Sequence, residues 1–294
     1  MAGFFENAES AVKGLWRLGQ TATALAGTGL GWLMGDRPPA PALLRGTFEK
    51  LGATYIKLGQ FIASSPSLFP AEYVEEFQKL LDQTETLPFS QIQRTLRKEL
   101  GNNLDEIFAH IDEAPLASAS IAQVHAARLK TGEDVVLKVQ KPGVQDILLT
   151  DLNFLYAQAK ILEFFAPAFS RTSLSGIITD IQKTMLEECD FLNEANNIKE
   201  FRKFLDDTGN EDAVAPRVYE QYTTLKVLTM ERFYGVPLTD LDSIRNYAPH
   251  PEKTLLSALN TWFSSLVHCA TFHADVHAGN LLVLEDGRIG FIDF

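Results

Sequence analysis

The sequence predicts an α+β fold with a helical N-terminal extension, a small β-containing lobe and an incomplete helical large lobe. Three observations predict it. The prolines of Asp36-Arg37-Pro38-Pro39-Ala40-Pro41 form a linker, helical periodicity gives way to a β period at Pro115, and an apolar helical stripe near the C-terminus runs into a short hairpin.

The uncharged stretch Leu18–Met34, flanked by Arg17 and Asp36, is expected as a packed or loosely ordered helix, rather than an interfacial or transmembrane one. Glu6 and Glu9 stand where a secretory signal would carry positive charge. After the linker, Leu44, Phe48, Leu51, Tyr55, Leu58 and Ile62 recur at helical spacing, which predicts one helix from Leu43 to about Ser64. Pro70–Leu81 and Ser90–Leu100 predict two more. Ile121–Leu129 and Val135–Gln140, joined by Lys130-Thr131-Gly132-Glu133-Asp134, read as a β-hairpin. In the second strand Val136, Lys138 and Gln140 share one face, and Val135, Leu137 and Val139 the other. Helical patterns return from Asp146 to Leu205, Lys226–Glu231 reads as a strand, and Gly235-Val236-Pro237 as a crossover. Leu256, Leu259, Trp262, Phe263, Leu266, Val267 and Ala270 form the final helical stripe. The expected divisions are an N-terminal segment with linker at 1–42, a helical extension at 43–113, a small lobe with inserted helices at 114–231, and the start of a second lobe at 232–294.

Composition narrows the function classes. The chain has 294 residues, of which 46% are hydrophobic, enough for a large core. A formal net charge of −12, with no stripe of Lys and Arg, argues against nucleic acid as a partner. Cys189 and Cys269 lie 80 positions apart with no metal-ligand pattern, so both are expected as buried thiols in a reducing compartment.

The chemistry concentrates at the C-terminus. Asp275 is followed five positions later by Asn280 and eighteen positions later by Asp293, with Leu281–Val283 and Ile289–Ile292 forming a hairpin between them. Phosphoryl transfer asks a protein to hold a Mg²⁺-nucleotide, neutralise charge and orient the acceptor. In that role Asn280 and Asp293 are candidate Mg²⁺ ligands, and Asp275 the residue that orients the nucleophile or accepts its proton. A solvated loop whose Asp and Asn only make turns is the bland alternative. Three spaced elements after a helix disfavour it. His273 and His277 fit this loop better than a zinc pair.

Lys138 is a strand lysine flanked by apolar residues, costly to bury without a carboxylate or a phosphate partner. On one continuous helix Glu187, Asp190 and Glu194 would share a face and Glu188 would point away, so Glu194 is the candidate partner of Lys138. Where a kinase carries a Gly-rich loop this chain has Ala117-Ser118-Ala119-Ser120-Ile121, without glycine. Small side chains still allow close backbone approach there, but positive φ becomes unfavourable.

On these motifs, together with Lys57-Leu58-Gly59-Gln60 and Glu188-Cys189-Asp190, the chain resembles the UbiB (AarF-domain) atypical kinases from about Leu43 to Phe294. The resemblance implies a protein-kinase-like fold in which an Ala-rich loop replaces the Gly-rich one, with ATP and Mg²⁺ as cofactors. It implies that Lys57 and Gln60 ride on a helix covering the nucleotide cleft, that Glu188 and Asp190 couple this cover to the site, and that Lys138 pairs with Glu194 and contacts phosphates. The strand ending Met230-Glu231 would supply adenine contacts, mostly through backbone groups. It further implies support of isoprenoid quinone (ubiquinone) biosynthesis, acting on a lipid or small-molecule precursor or with biosynthetic proteins. The expected location is cytoplasmic, at the inner face of the membrane, with peripheral contact. The chain is expected to stop early within an Asp-Phe-Gly motif. A nonenzymatic ATP-dependent lipid- or protein-binding scaffold is the rival reading. An aminoglycoside-type phosphotransferase shares the Asp-to-Asn spacing but lacks the Lys57–Gln60 motif and the Ala-rich loop.

Overall fold

The computed structural model describes residues 39–66, 69–80, 86–165, 173–248, 250–269 and 278–294. The Leu18–Met34 segment, His273, Asp275 and His277 lie outside them. In chain order the described elements begin with helices α1 (Ala40–Leu51), α2 (Ala53–Ser64), α3 (Ala71–Phe77), α4 (Phe89–Leu100) and α5 (Leu104–Ile107). Strands β1 (Phe108–Ile111), β2 (Ala117–Ser118), β3 (Ala122–Leu129) and β4 (Asp134–Gln140) follow, then helices α6 (Val144–Phe165), α7 (Leu174–Glu187) and α8 (Phe191–Thr208). The last part holds β5 (Ala213–Val214), β6 (Val227–Glu231), β7 (Gly235–Pro237), α9 (Leu241–Tyr247), α10 (Pro251–His268), β8 (Leu281–Leu284) and β9 (Ile289–Phe291). They divide into two compact units.

The first unit holds α1–α3, the loop residues Ser118–Ile121, and α6 and α7. Helix α1 starts at the prolines because Pro39 and Pro41 occupy its N-terminal positions, where no backbone N–H is needed. The single helix expected from Leu43 to Ser64 is two helices, α1 and α2, broken at Gly52. Gly52 takes φ +92°, a conformation from which an α-helix cannot continue and which glycine adopts without steric penalty. Ile56, Phe77 and Leu80 form the local core, and Phe48 meets Phe77 edge-on at 5.2 Å. Gly59 lies where α2 and α3 touch: a Cβ there would come within 2.2 Å of a Leu80 methyl and 2.6 Å of the Phe77 ring. Helix α6 packs antiparallel on α7, and a buried hydrogen bond of 2.7 Å from the Thr54 hydroxyl to the Asp151 carboxylate joins α2 to α6.

The second unit is built around an antiparallel sheet in the order β1-β3-β4-β6, with Lys138 opposite Val124 on one side and Leu228 on the other. The predicted β3–β4 hairpin is present, closed by a turn containing Gly132 at φ +106°. Alternation along β4 places Val135, Leu137 and Val139 in the core with Ile92 and Leu96 of α4. The opposite face, with Lys138 and Gln140, meets the start of α8.

A second sheet runs β5-β9-β8-β7 and is antiparallel except for the parallel β5–β9 pair. Gly235–Pro237, expected as a crossover, is strand β7 paired with β8. A Cβ at Gly235 would lie 2.5 Å from the Val283 carbonyl oxygen, so the missing side chain permits this close pairing. The α10 stripe is also inverted relative to the usual amphipathic rule. Leu256, Phe263 and Val267 are 59%, 56% and 79% exposed, whereas the small residues Ala258, Thr261 and Ser265 are buried. Polar contacts fasten the inner side, with Asn210 donating to the Thr261 hydroxyl and the Ser257 hydroxyl to Asp212. Of the two thiols, Cys189 is buried as expected and Cys269 only half-buried.

Candidate active site

Strand β4 projects Lys138 between two carboxylates. Its Nζ donates to Glu194 Oε1 at 2.6 Å and to Asp293 Oδ1 at 2.5 Å. Glu194 arrives from the first turn of α8, and Asp293 from the residues just after β9. The Asn280 amide closes the group by donating to Asp293 Oδ2 at 3.3 Å, while the Asn280 backbone carbonyl accepts from Ile292 N–H. Thus the loop before the C-terminal hairpin and the residues after it are held together at the lysine.

The continuous helix expected through Glu187, Asp190 and Glu194 does not form. Helix α7 ends at Glu187, and Asp190 is the N-cap of α8, in an extended conformation with its carboxylate accepting from the Leu192 N–H at 3.0 Å. A short acceptor side chain that satisfies an otherwise unpaired N–H starts a helix here rather than continuing one. Glu194 keeps its expected partner, while Asp190 serves the backbone and Glu188 is exposed.

Three side chains not singled out as site residues from the sequence complete the arrangement. Gln140, two residues beyond Lys138 on the same strand face, donates its amide to the Cys189 carbonyl at 3.0 Å. The fully buried Phe191 ring lies 5.6 Å from Lys138 Nζ, and Phe201, farther along α8, stacks on Phe291 at 4.9 Å and Phe294 at 5.2 Å. The position of Gln140 on the lysine's face was visible in the alternation. Its partner, 49 residues away, was not.

One ammonium shared between two carboxylates leaves a net negative charge. Burial works against the charge on Lys138, but Asp293 and Glu194 overcome it and hold the ammonium above its ordinary range. For Glu194 burial dominates, with Asp293 adding to it and Lys138 opposing, so that its carboxyl is pushed up to about 8. Among the described residues no three His, Cys, Asp or Glu side chains form a metal cluster. Asp293 and Asn280 stand side by side, the Asn280 amide nitrogen toward the carboxylate.

Met230 is buried and Glu231 half-buried at the end of β6. The Glu231 backbone N–H donates to the Arg217 carbonyl at 2.8 Å. Lys57 and Gln60, both half-buried, lie one turn apart on α2. Ser118–Ile121 fall within the same compact unit as that helix. Ser120 and Ile121 are buried, and Ala117 and Ala119 exposed.

An antiparallel sheet that offers a lysine to a helix-borne glutamate, followed by an aspartate after a hairpin, defines the small lobe of a protein-kinase-like fold. The ABC1 atypical kinase-like domain matches residues 79–294, and the chain belongs to that family. It is 53% identical over 300 residues to an uncharacterised, chloroplastic aarF domain-containing protein kinase of Arabidopsis thaliana, covering 96% of this chain and 56% of that protein. It is 35% identical over 254 residues to a probable protein kinase UbiB of Azotobacter vinelandii, covering 86% and 47%. A solved structure, the Rv3197–erythromycin complex of Mycobacterium tuberculosis, superposes with a TM-score of 0.57 at 27% identity, over 94% of this chain and 64% of that one. The chain thus spans about half the length of the curated relatives it matches. No helix among its described residues is long and apolar enough to cross a membrane.

Proposed function

We propose that this chain supplies the ATP- and Mg²⁺-binding residues of an atypical kinase or ATPase. The observation that carries the reading is Lys138 Nζ bonded at once to Glu194 and Asp293. A half-buried lysine between two carboxylates is positioned to exchange one of them for phosphate oxygens, with Glu194 the permanent partner and Asp293 the exchangeable one. Bound Mg²⁺ would neutralise phosphate charge. Asp293 and the Asn280 side-chain oxygen would hold the cation, and Asp275 would orient the acceptor or take its proton. The Glu231 carbonyl, rather than its committed N–H, would face adenine beside Met230. Ala117–Ile121 would cover the phosphates without positive-φ glycines. Lys57 and Gln60 would lie over the cleft, and Glu188 and Asp190 would couple them to it.

In this reading residues 43–113 are the covering extension, 114–231 the nucleotide-facing lobe and 232–294 the start of the second lobe. The UbiB name of the Azotobacter vinelandii relative, with the motif resemblance, supports a role in isoprenoid quinone biosynthesis. The acceptor would be a lipid or small-molecule precursor, or the site would act with a biosynthetic protein at the inner membrane face. A second reading, a nucleotide-dependent scaffold that transfers no phosphate, is favoured by one observation: Lys138 already occupies the Asp293 carboxylate.

Mg·ATP at about 100 times its Kd should stabilise the chain by about 2.7 kcal/mol, measured by chemical unfolding. Lys138→Ala and Asp293→Asn should remove most of that gain. Stabilisation by Mg·ATP that is equal in all three proteins would refute the site. Binding without turnover in the presence of lipid would favour the scaffold.

A further inference from the structure

We infer that Gln140 is a positioning residue that holds the start of α8 at the distance from β4 at which Lys138 meets Glu194. This deepens the proposed nucleotide site and rests on it for its functional meaning.

Gln140 and Lys138 are two positions apart on β4, so their side chains leave the same face about 7 Å apart. Lys138 reaches the first turn of α8, and Gln140 the residue just before its N-cap. The Gln140 amide donates to the Cys189 carbonyl, Lys138 donates to Glu194, and the Phe191 ring lies against the ammonium between these contacts. Two hydrogen bonds from a strand to a helix start fix both separation and rotation, whereas a lysine alone, with four flexible methylenes, fixes neither. The Gln140 side chain is buried in this role, with Gln140 only 3% exposed. Its backbone N–H also donates to the Lys226 carbonyl, and the Phe191 N–H donates to Leu225, so strand β4, the approach to β6 and the α8 start share one set of bonds. Asp190, which caps α8, and Cys189, which accepts from Gln140, are adjacent. The turn before the helix is therefore held from both sides, and Glu194 follows it by less than two helical turns.

If Gln140 acted only as a satisfied buried amide, its loss would loosen the fold without regard to Glu194. If it sets the lysine–glutamate distance, its loss should matter at Lys138 and only while Glu194 can accept. The test is the acylation rate of Lys138 by acetic anhydride, followed by mass spectrometry at fixed pH, with exposed Lys199 and Lys203 as internal references. Gln140→Met and Gln140→Leu, neither of which can donate to the Cys189 carbonyl, should each speed acylation of Lys138 about tenfold as the ammonium loses its hold on Glu194. The reference lysines should not change. In a Glu194→Gln background the same changes should add less than about twofold, because residues acting through one pair are not additive. No acceleration in either variant, or equal acceleration with and without Glu194, overturns the inference. Protection of wild-type Lys138 by Mg·ATP tests the nucleotide reading separately. Loss of that protection with the Gln140 effect intact would remove the ATP role and leave the positioning role standing.

Discussion

Glu194 is a carboxyl group raised by burial to about 8 beside a lysine that stays charged, and this gives the fold an unusual pH dependence. Between its ordinary 4.5 and about 8 the folded chain holds a proton that the unfolded chain has released, so stability falls as pH rises through that window. His125 works in the opposite sense. Its fully buried ring, between Gln123 and the Asp112 carbonyl, is held below its ordinary 6.5 by burial, so its contribution is present above that value and is lost on acidification. Urea unfolding from pH 5 to pH 8 should therefore show Glu194→Gln with a smaller decline toward alkaline pH than wild type, and His125→Phe with less loss at the acid end. Parallel profiles for Glu194→Gln and wild type would mean that Glu194 does not carry the proton. Gly59 makes a different kind of demand. Its missing Cβ lets α2 rest on the nearly inaccessible Phe77, so Gly59→Ala should lower stability by about 1–3 kcal/mol through overpacking, despite alanine's better helix propensity. A neutral or stabilising effect in thermal melts would show that Phe77 and Leu80 can shift aside.

Helix α8 depends on its cap more than on its sequence period. Asp190→Ala should cost about 1 kcal/mol of stability, and Asp190→Asn should restore most of it, because an amide oxygen also accepts from the Leu192 N–H. Should Asp190→Asn recover stability but not nucleotide turnover, Asp190 does more than cap. The break before this helix explains why part of the site was illegible in the sequence. The pairing of Lys138 with Glu194 followed from a buried strand lysine needing a carboxylate. The face shared by Glu187 and Glu194 did not, because periodicity continues across a cap that redirects the chain. Gly52 hid a second break in the same way: the apolar spacing is helical on both sides, and only its φ of +92° separates the helices. The hairpin, by contrast, was legible because alternation in β3 and β4 and a glycine-bearing turn agree. The α10 stripe was misleading for a third reason. Periodicity reports that a helix is two-sided, but not which side faces inward, and here Thr261 and Ser265 are the buried ones. Gln140 was legible as to face but not as to partner, since a backbone carbonyl accepts whatever side chain reaches it.

The division into two compact units gives the nucleotide proposal its most demanding test. Lys138, Glu194, Asn280 and Asp293 belong to one unit, whereas Lys57, Gln60 and the loop Ser118–Ile121 belong to the other. Amide hydrogen exchange reports opening of each segment separately, so the two units can be followed in one experiment. With saturating Mg·ATP, slower exchange should appear in β4, the first turn of α8 and the residues around Asn280 and Asp293. Binding to the folded state alone lowers the population of every opening that destroys the site. A covering role for α2 adds a second expectation: Lys57–Gln60 and Ser118–Ile121 should also be protected. Lys57→Ala should abolish that part while leaving most of the protection around β4. Protection confined to β4, α8 and the C-terminal hairpin would keep the ATP site and discard the cover. Protection of α2 that survives both Lys57→Ala and Asp293→Asn would instead indicate nucleotide bound elsewhere, because neither the cation-binding carboxylate nor the covering lysine would then be needed to hold it.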